Sequence, residues 1–214
     1  MSKSCLALVL LGVGACVPAH DELVRHHTED GYHLYNRGSY ADARDCFDAA
    51  LKLKPGDPDL LYNLARCHEH TGQTEKAEAL YKECLSADPD HAEARHAWLL
   101  LMLQNGREAE GKQMVVGWMK SRPDKGGPYV EDAFLYARDG DLDSARRRYQ
   151  QALNNDPRNY RALAGMANIY EKLGYPDRAR KLYEQSMEVK PDQPEVEARV
   201  KELRGKGVSG PKPD

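Results

Sequence analysis

Between Tyr40 and Asp57 the chain reads YADARDCFDAALKLKPGD, with Ala43, Phe47, Ala50 and Leu51 at helical spacing and charges between them. That period predicts an amphipathic helix, which Pro55 ends. The same punctuation returns. Pro55, Pro89, Pro123, Pro157 and Pro191 each lie thirty-four residues after the last, and so do Gly38, Gly72, Gly106, Gly140 and Gly174. Between each glycine and its proline runs a small–aromatic–small ladder: Ala43/Phe47/Ala50, Ala77/Tyr81/Cys84, Ala145/Tyr149/Ala152 and Ala179/Tyr183/Ser186. Only the third copy departs from it, with Gly111/Val115/Trp118. Each window therefore predicts a first helix, a turn at the glycine, and a second helix that stops before the proline.

A thirty-four-residue helix–turn–helix unit with this pattern resembles the tetratricopeptide repeat (TPR). The resemblance covers five contiguous windows, 24–57, 58–91, 92–125, 126–159 and 160–193, the third of them degenerate. It implies an all-α fold: a right-handed superhelical solenoid of five such units plus a C-terminal capping helix. One unit cannot bury its apolar stripe alone, whereas stacked units share a continuous thin core. Small residues such as Ala65, Ala133 and Ala167 let helix axes approach, and Tyr81, Tyr149 and Tyr183 fill the grooves between neighbours. Residues 194–206 read as the capping helix, with Val196, Val200 and Leu203 inward, and 207–214 as a flexible tail. In the third window a size swap is expected, with Trp118 filling space left by Gly111, and DKGGPYVE loosening the junction near Lys125.

The N-terminus has another character. MSKSCLALVLLGVGAC carries one cation, Lys3, and an apolar run from Cys5 to Ala15, too short for a membrane-spanning helix of about twenty residues. It has secretory-signal dimensions, and its V-G-A-C ending resembles the lipobox of bacterial lipoproteins. That resemblance implies a signal at 1–15, lipidation of Cys16, a short tether at 16–23 with the first helix beginning near Asp21, and anchoring to the cell envelope. Val17 stands where an inner-membrane retention signal places Asp, which favours the outer membrane, facing the periplasm. Two readings stay open beside it: a signal cut after Ala15 or Ala19, giving a soluble secreted or periplasmic protein, and an uncleaved apolar start. Beyond Cys5 and Cys16, Cys46, Cys67 and Cys84 sit in helical patterns as small buried thiols, with a Cys46–Cys67 bridge as the alternative.

Composition narrows the function. With 31 basic against 34 acidic residues and a net charge of −3, nothing points to nucleic acid. No P-loop, GxGxxG after a strand, GxSxG or HExxH occurs, so no enzyme, cofactor or metal site is expected. All eight histidines lie in the first half, yet His26, His27 and His33 include no i,i+4 pair that would share a helix face.

What remains is a surface. In the family, the first helices of successive repeats line the concave side and bind peptides or folded partners. In this sequence that rule selects Tyr32, Tyr35 and Asn36, then Tyr62, Asn63, Arg66 and His70. Later windows add His96, Leu100 and Gln104, then Phe134 and Arg138, then Asn168 and Lys172. Tyrosine and arginine are the residue types that dominate interface hot spots, although tyrosines also belong to the ordinary vocabulary of the repeat. The residue set that clamps a C-terminal carboxylate is absent, with Thr28, Tyr32 and Asn63 where most of it would begin. The reading is a membrane-tethered, non-catalytic scaffold for a protein or peptide partner in envelope, secretion or pilus assembly. The alternatives are an accessory subunit of an envelope enzyme and a self-associating structural array.

Overall fold

The structure, a computed structural model, describes residues 13–205, with side chains from His20 onward. The signal read at 1–15 lies mostly outside the described residues, as do the Cys16 side chain and the 207–214 tail. Eleven helices follow one another among the described residues, with no strand. They are α1 (Val13–Asn36), α2 (Tyr40–Leu53), α3 (Pro58–His70), α4 (Thr74–Ala87), α5 (Ala92–Gln104), α6 (Glu108–Ser121), α7 (Gly126–Asp139), α8 (Leu142–Asn155), α9 (Tyr160–Lys172), α10 (Pro176–Val189) and α11 (Pro194–Gly205). Helix α1 starts at Val13 rather than near Asp21, so the stretch read as an extended tether is helical. It rises only ~1.5 Å per residue there.

Two compact units make up the chain, residues 1–106 with α1–α5 and residues 107–214 with α6–α11. The division falls inside the third window, at its Gly106 turn, and not between repeats. In the first unit α1 packs on α2, α2 on α3, α3 on α4 and α4 on α5. In the second, each helix from α6 to α11 packs on the next by the same rule. Neighbour-to-neighbour packing is what separates a helical repeat from a bundle.

Local chemistry explains the boundaries. The five spaced glycines all take the left-handed conformation, from φ +72° at Gly106 to φ +84° at Gly140. At the second turn, Gly72 N–H bonds Glu69 O and Gln73 N–H bonds His68 O at 2.8 Å, satisfying carbonyls the helix leaves open. First helices are capped in the same register. Asp57 accepts from Leu60 N–H, His91 Nδ1 from Ala94 N–H and Asn159 from Ala162 N–H. The row misses a beat at Lys125, which makes no side-chain cap.

The small–aromatic–small ladder faces inward. Phe47 and Tyr81 are fully buried and Tyr149 and Tyr183 nearly so. Two rings press onto glycines: a Cβ at Gly31 would lie 2.7 Å from the Phe47 ring, and one at Gly165 only 2.3 Å from Tyr149 Cζ. The third ladder position has a job as well. Cys84 Sγ–H donates to Pro58 O at 3.2 Å, and Ser186 Oγ–H to Tyr160 O at 2.8 Å, the matching place three repeats on. Cys46, Cys67 and Cys84 are free thiols, so the alternative Cys46–Cys67 bridge is not formed. Burial pushes Cys67 up to about 11 and Cys84 up to about 12, keeping both protonated and unreactive.

The third-to-fourth junction is tied down rather than loose. Tyr129 Oη–H donates to Pro123 O at 3.0 Å, and Asn155 Nδ2 donates to Pro123 O and Lys125 O. Gly126 abuts Ala152 O, where a Cβ would come within 2.9 Å. Trp118, 4% exposed, lies over Gly127 of α7, where a Cβ would meet its ring at 3.1 Å.

Candidate functional site

In the first unit the solvent-facing sides of α1 and α3 bring six of the expected residues into two groups. Tyr32 remains 44% exposed, with its ring edge-on to Phe47 at 5.4 Å. Its hydroxyl accepts from Asn63 Nδ2 at 2.9 Å, and the same amide nitrogen reaches Asp59 O at 2.7 Å. A hydroxyl and an amide from consecutive repeats thus stand side by side at the surface.

Tyr35, Tyr62, Arg66 and His70 form the second group. Tyr40 and His70 stack face to face, 4.1 Å apart at 7°, and Tyr35 meets both edge-on at 5.1 and 5.4 Å. Arg66 donates to Tyr62 Oη and to His70 Nε2, both at 3.3 Å, which leaves the His70 proton on Nδ1. Glu69 lies 3.5 Å from Arg66 and accepts from Tyr81 Oη–H at 2.6 Å. Burial and then the Arg66 charge hold His70 below its ordinary value. Burial, more than any neighbour, pushes Tyr35 up to about 12. Burial opposes the Arg66 charge, but Tyr62, Tyr35, Tyr81 and Glu69 together raise its pKa. The group is a pre-stacked π surface that can stack and hydrogen-bond, and the buried Arg66 Nε in it has no hydrogen-bond partner among the described residues.

Of the other expected residues in this unit, Asn36 and Gln104 are exposed and His96 and Leu100 half-buried. In the second unit Phe134 is half-buried on α7, and Arg138 is bound to Glu108 of α6 at 2.7 Å. Asn168 and Lys172 line a cleft of about 600 Å³ between α9 and α11, with Tyr183, Glu195 and Val196. Glu171 accepts from Arg199 Nε at 2.7 Å and from Tyr183 Oη–H at 3.4 Å across its wall. No three of His, Cys, Asp and Glu converge on a metal position, and no helix is long and apolar enough to cross a membrane, among the described residues.

Sequence reasoning missed Tyr40, Glu69, Glu171 and Arg199 as partners in these walls. A signal existed: the Glu69–Tyr81 spacing recurs as Glu171–Tyr183, three repeats later. Repeat register, not composition, would have found it.

Serial pairs of antiparallel helices, closed by left-handed glycines and presenting first-helix side chains to solvent, define an α-helical repeat protein. Family models described as tetratricopeptide repeat match residues 29–92 and 136–203, together more than half of the chain, and the chain belongs to that family. Among curated proteins it is 29% identical over 167 residues to "Cellulose synthase operon protein C" of Pseudomonas fluorescens, a match covering 74% of this chain. The chain spans only 13% of that relative. Of solved structures, a thermophilic TPR protein of Thermus thermophilus aligns at TM-score 0.58 and 21% identity over 85% of this chain and 98% of its own. PilF of Pseudomonas aeruginosa aligns at TM-score 0.51 and 16% identity over 87% and 85% of the two chains. At these identities both show the fold alone.

Proposed function

We propose that this chain is a non-catalytic interaction scaffold, held at a bacterial cell envelope through Cys16, whose first-helix faces bind a peptide or protein partner. One observation carries the reading. Tyr32 and Asn63 from consecutive repeats meet at an exposed hydrogen-bonded pair, beside a pre-stacked wall of Tyr35, Tyr40 and His70. Rigid aromatic contact area with adjacent donors and acceptors is what a protein ligand uses, because little ordering entropy remains to be lost on binding. Relatives named for the cellulose synthase operon support a place beside an envelope assembly, but they share only this repeat segment.

Photo-crosslinking tests the binding face. A benzophenone amino acid at position 32, on α1, should capture a discrete partner in envelope preparations, while one at the exposed Glu83 on α4 should not. Equal labelling from both positions would refute a first-helix face. Labelling with a fatty-acid analogue, lost on Cys16→Ser, tests the anchor separately.

A further inference from the structure

The two units are charged oppositely. Residues 1–106 hold 10 Lys and Arg against 16 Asp and Glu, net −6, and residues 107–214 hold 21 against 18, net +3. The contrast sharpens on the solvent side of the second helices. There one register position, repeated every thirty-four residues, reads Asp45 on α2, Ala79 on α4, Gln113 on α6, Arg147 on α8 and Lys181 on α10. Asp45, Gln113, Arg147 and Lys181 are all exposed. One turn earlier, α2 presents the half-buried-to-exposed run that includes Asp42, and α10 presents Arg178. Asp45 is 71% exposed although Arg44 lies 2.8 Å away, Arg147 bonds Ser144 Oγ, and Lys181 makes no ion pair among the described residues.

We propose that the acidic face of α2, Asp42 and Asp45, docks a second copy of this chain through the basic face of its α8 and α10, Arg147, Arg178 and Lys181. Each copy carries both faces, so the contact is heterologous and can propagate from copy to copy. Complementary surface charge of this kind sets encounter rate and register and weakens steeply with salt. The faces belong to second helices, so the first-helix side chains stay free. The proposal therefore stands whether or not a partner binds there.

Sedimentation equilibrium of the full chain tests it. Association is expected at about 25 mM NaCl and its loss at about 0.5 M, where the Debye length falls below ~5 Å. Arg147→Glu with Lys181→Glu, and separately Asp42→Lys with Asp45→Lys, should each weaken self-association at least about tenfold with unchanged helical circular dichroism. An equimolar mixture of the two variants should associate again, because each retains the face the other lost. A chain that is monomeric at low salt, or a mixture that stays monomeric, overturns the proposal. So does association that survives high salt and both charge reversals, as contacts through the apolar N-terminal stretch would.

Discussion

At the scale of single residues, glycine does two opposite jobs in these helices. Gly165 is where the Tyr149 ring crosses α9, and a Cβ would sit 2.3 Å from Cζ, too close for any rotamer to relieve without moving the ring. Gly117, inside α6, has nothing within 4 Å of its would-be Cβ. Gly165→Ala should therefore cost about 1–3 kcal/mol by overpacking, whereas Gly117→Ala should gain up to about 1 kcal/mol by restricting the unfolded chain. Urea denaturation followed by circular dichroism gives both numbers. Equal effects at the two sites would mean that ring contact is not what holds Gly165. Neither role could be read from the sequence, since both glycines lie in helical patterns and only three-dimensional register places an aromatic over one of them. The same reason hid Tyr40: nothing local shows that it stacks on His70 from the next repeat.

Helices were the legible part of the chain, because their apolar period, their left-handed glycines and their closing prolines all recur in phase. Less legible were the caps. Asp57 and Asn159 are ordinary N-cap residues, but His91 is not, and the structure gives it the same work. Its Nδ1 accepts from Ala94 N–H at 3.1 Å, so Nε2 carries the proton and faces Asp59 Oδ1 at 3.3 Å. His91→Asn should keep the cap and His91→Ala should lose it, for a difference between the two of about 1 kcal/mol. Comparing those variants with each other cancels the Tyr62 ring contact that both remove. Thermal unfolding in which Asn and Ala behave alike would assign the His91 contribution to packing instead. The residues expected on the first-helix faces divide by the same logic. Tyr32, Tyr35, Tyr62, Asn63, Arg66 and His70 follow from repeat register and converge, whereas Arg138 carries the right register and is held by Glu108 of the neighbouring helix.

For the molecule as a whole, the sequence reads as five equal beats, and the structure divides it in the middle of one. The break at Gly106 leaves one tryptophan on each side, Trp98 beside Lys82 in the first unit and Trp118 over Gly127 in the second. In repeat proteins stability is a sum over units and nearest-neighbour interfaces, so a contact-defined unit is expected to open as a cooperative one. The two indoles make that testable residue by residue. In a Trp98→Phe background Trp118 reports the second unit, and in a Trp118→Phe background Trp98 reports the first. Adding Gly165→Ala, whose clash lies wholly between α8 and α9, should lower the urea midpoint seen by Trp118 and leave that seen by Trp98 within error. Were both midpoints to fall together, the chain would be one cooperative body, and the division at Gly106 would mark a change in local packing without energetic meaning. Separate midpoints would instead make the degenerate third repeat the place where folding can stop, with Trp118 packed onto α7 because it belongs to the unit that follows.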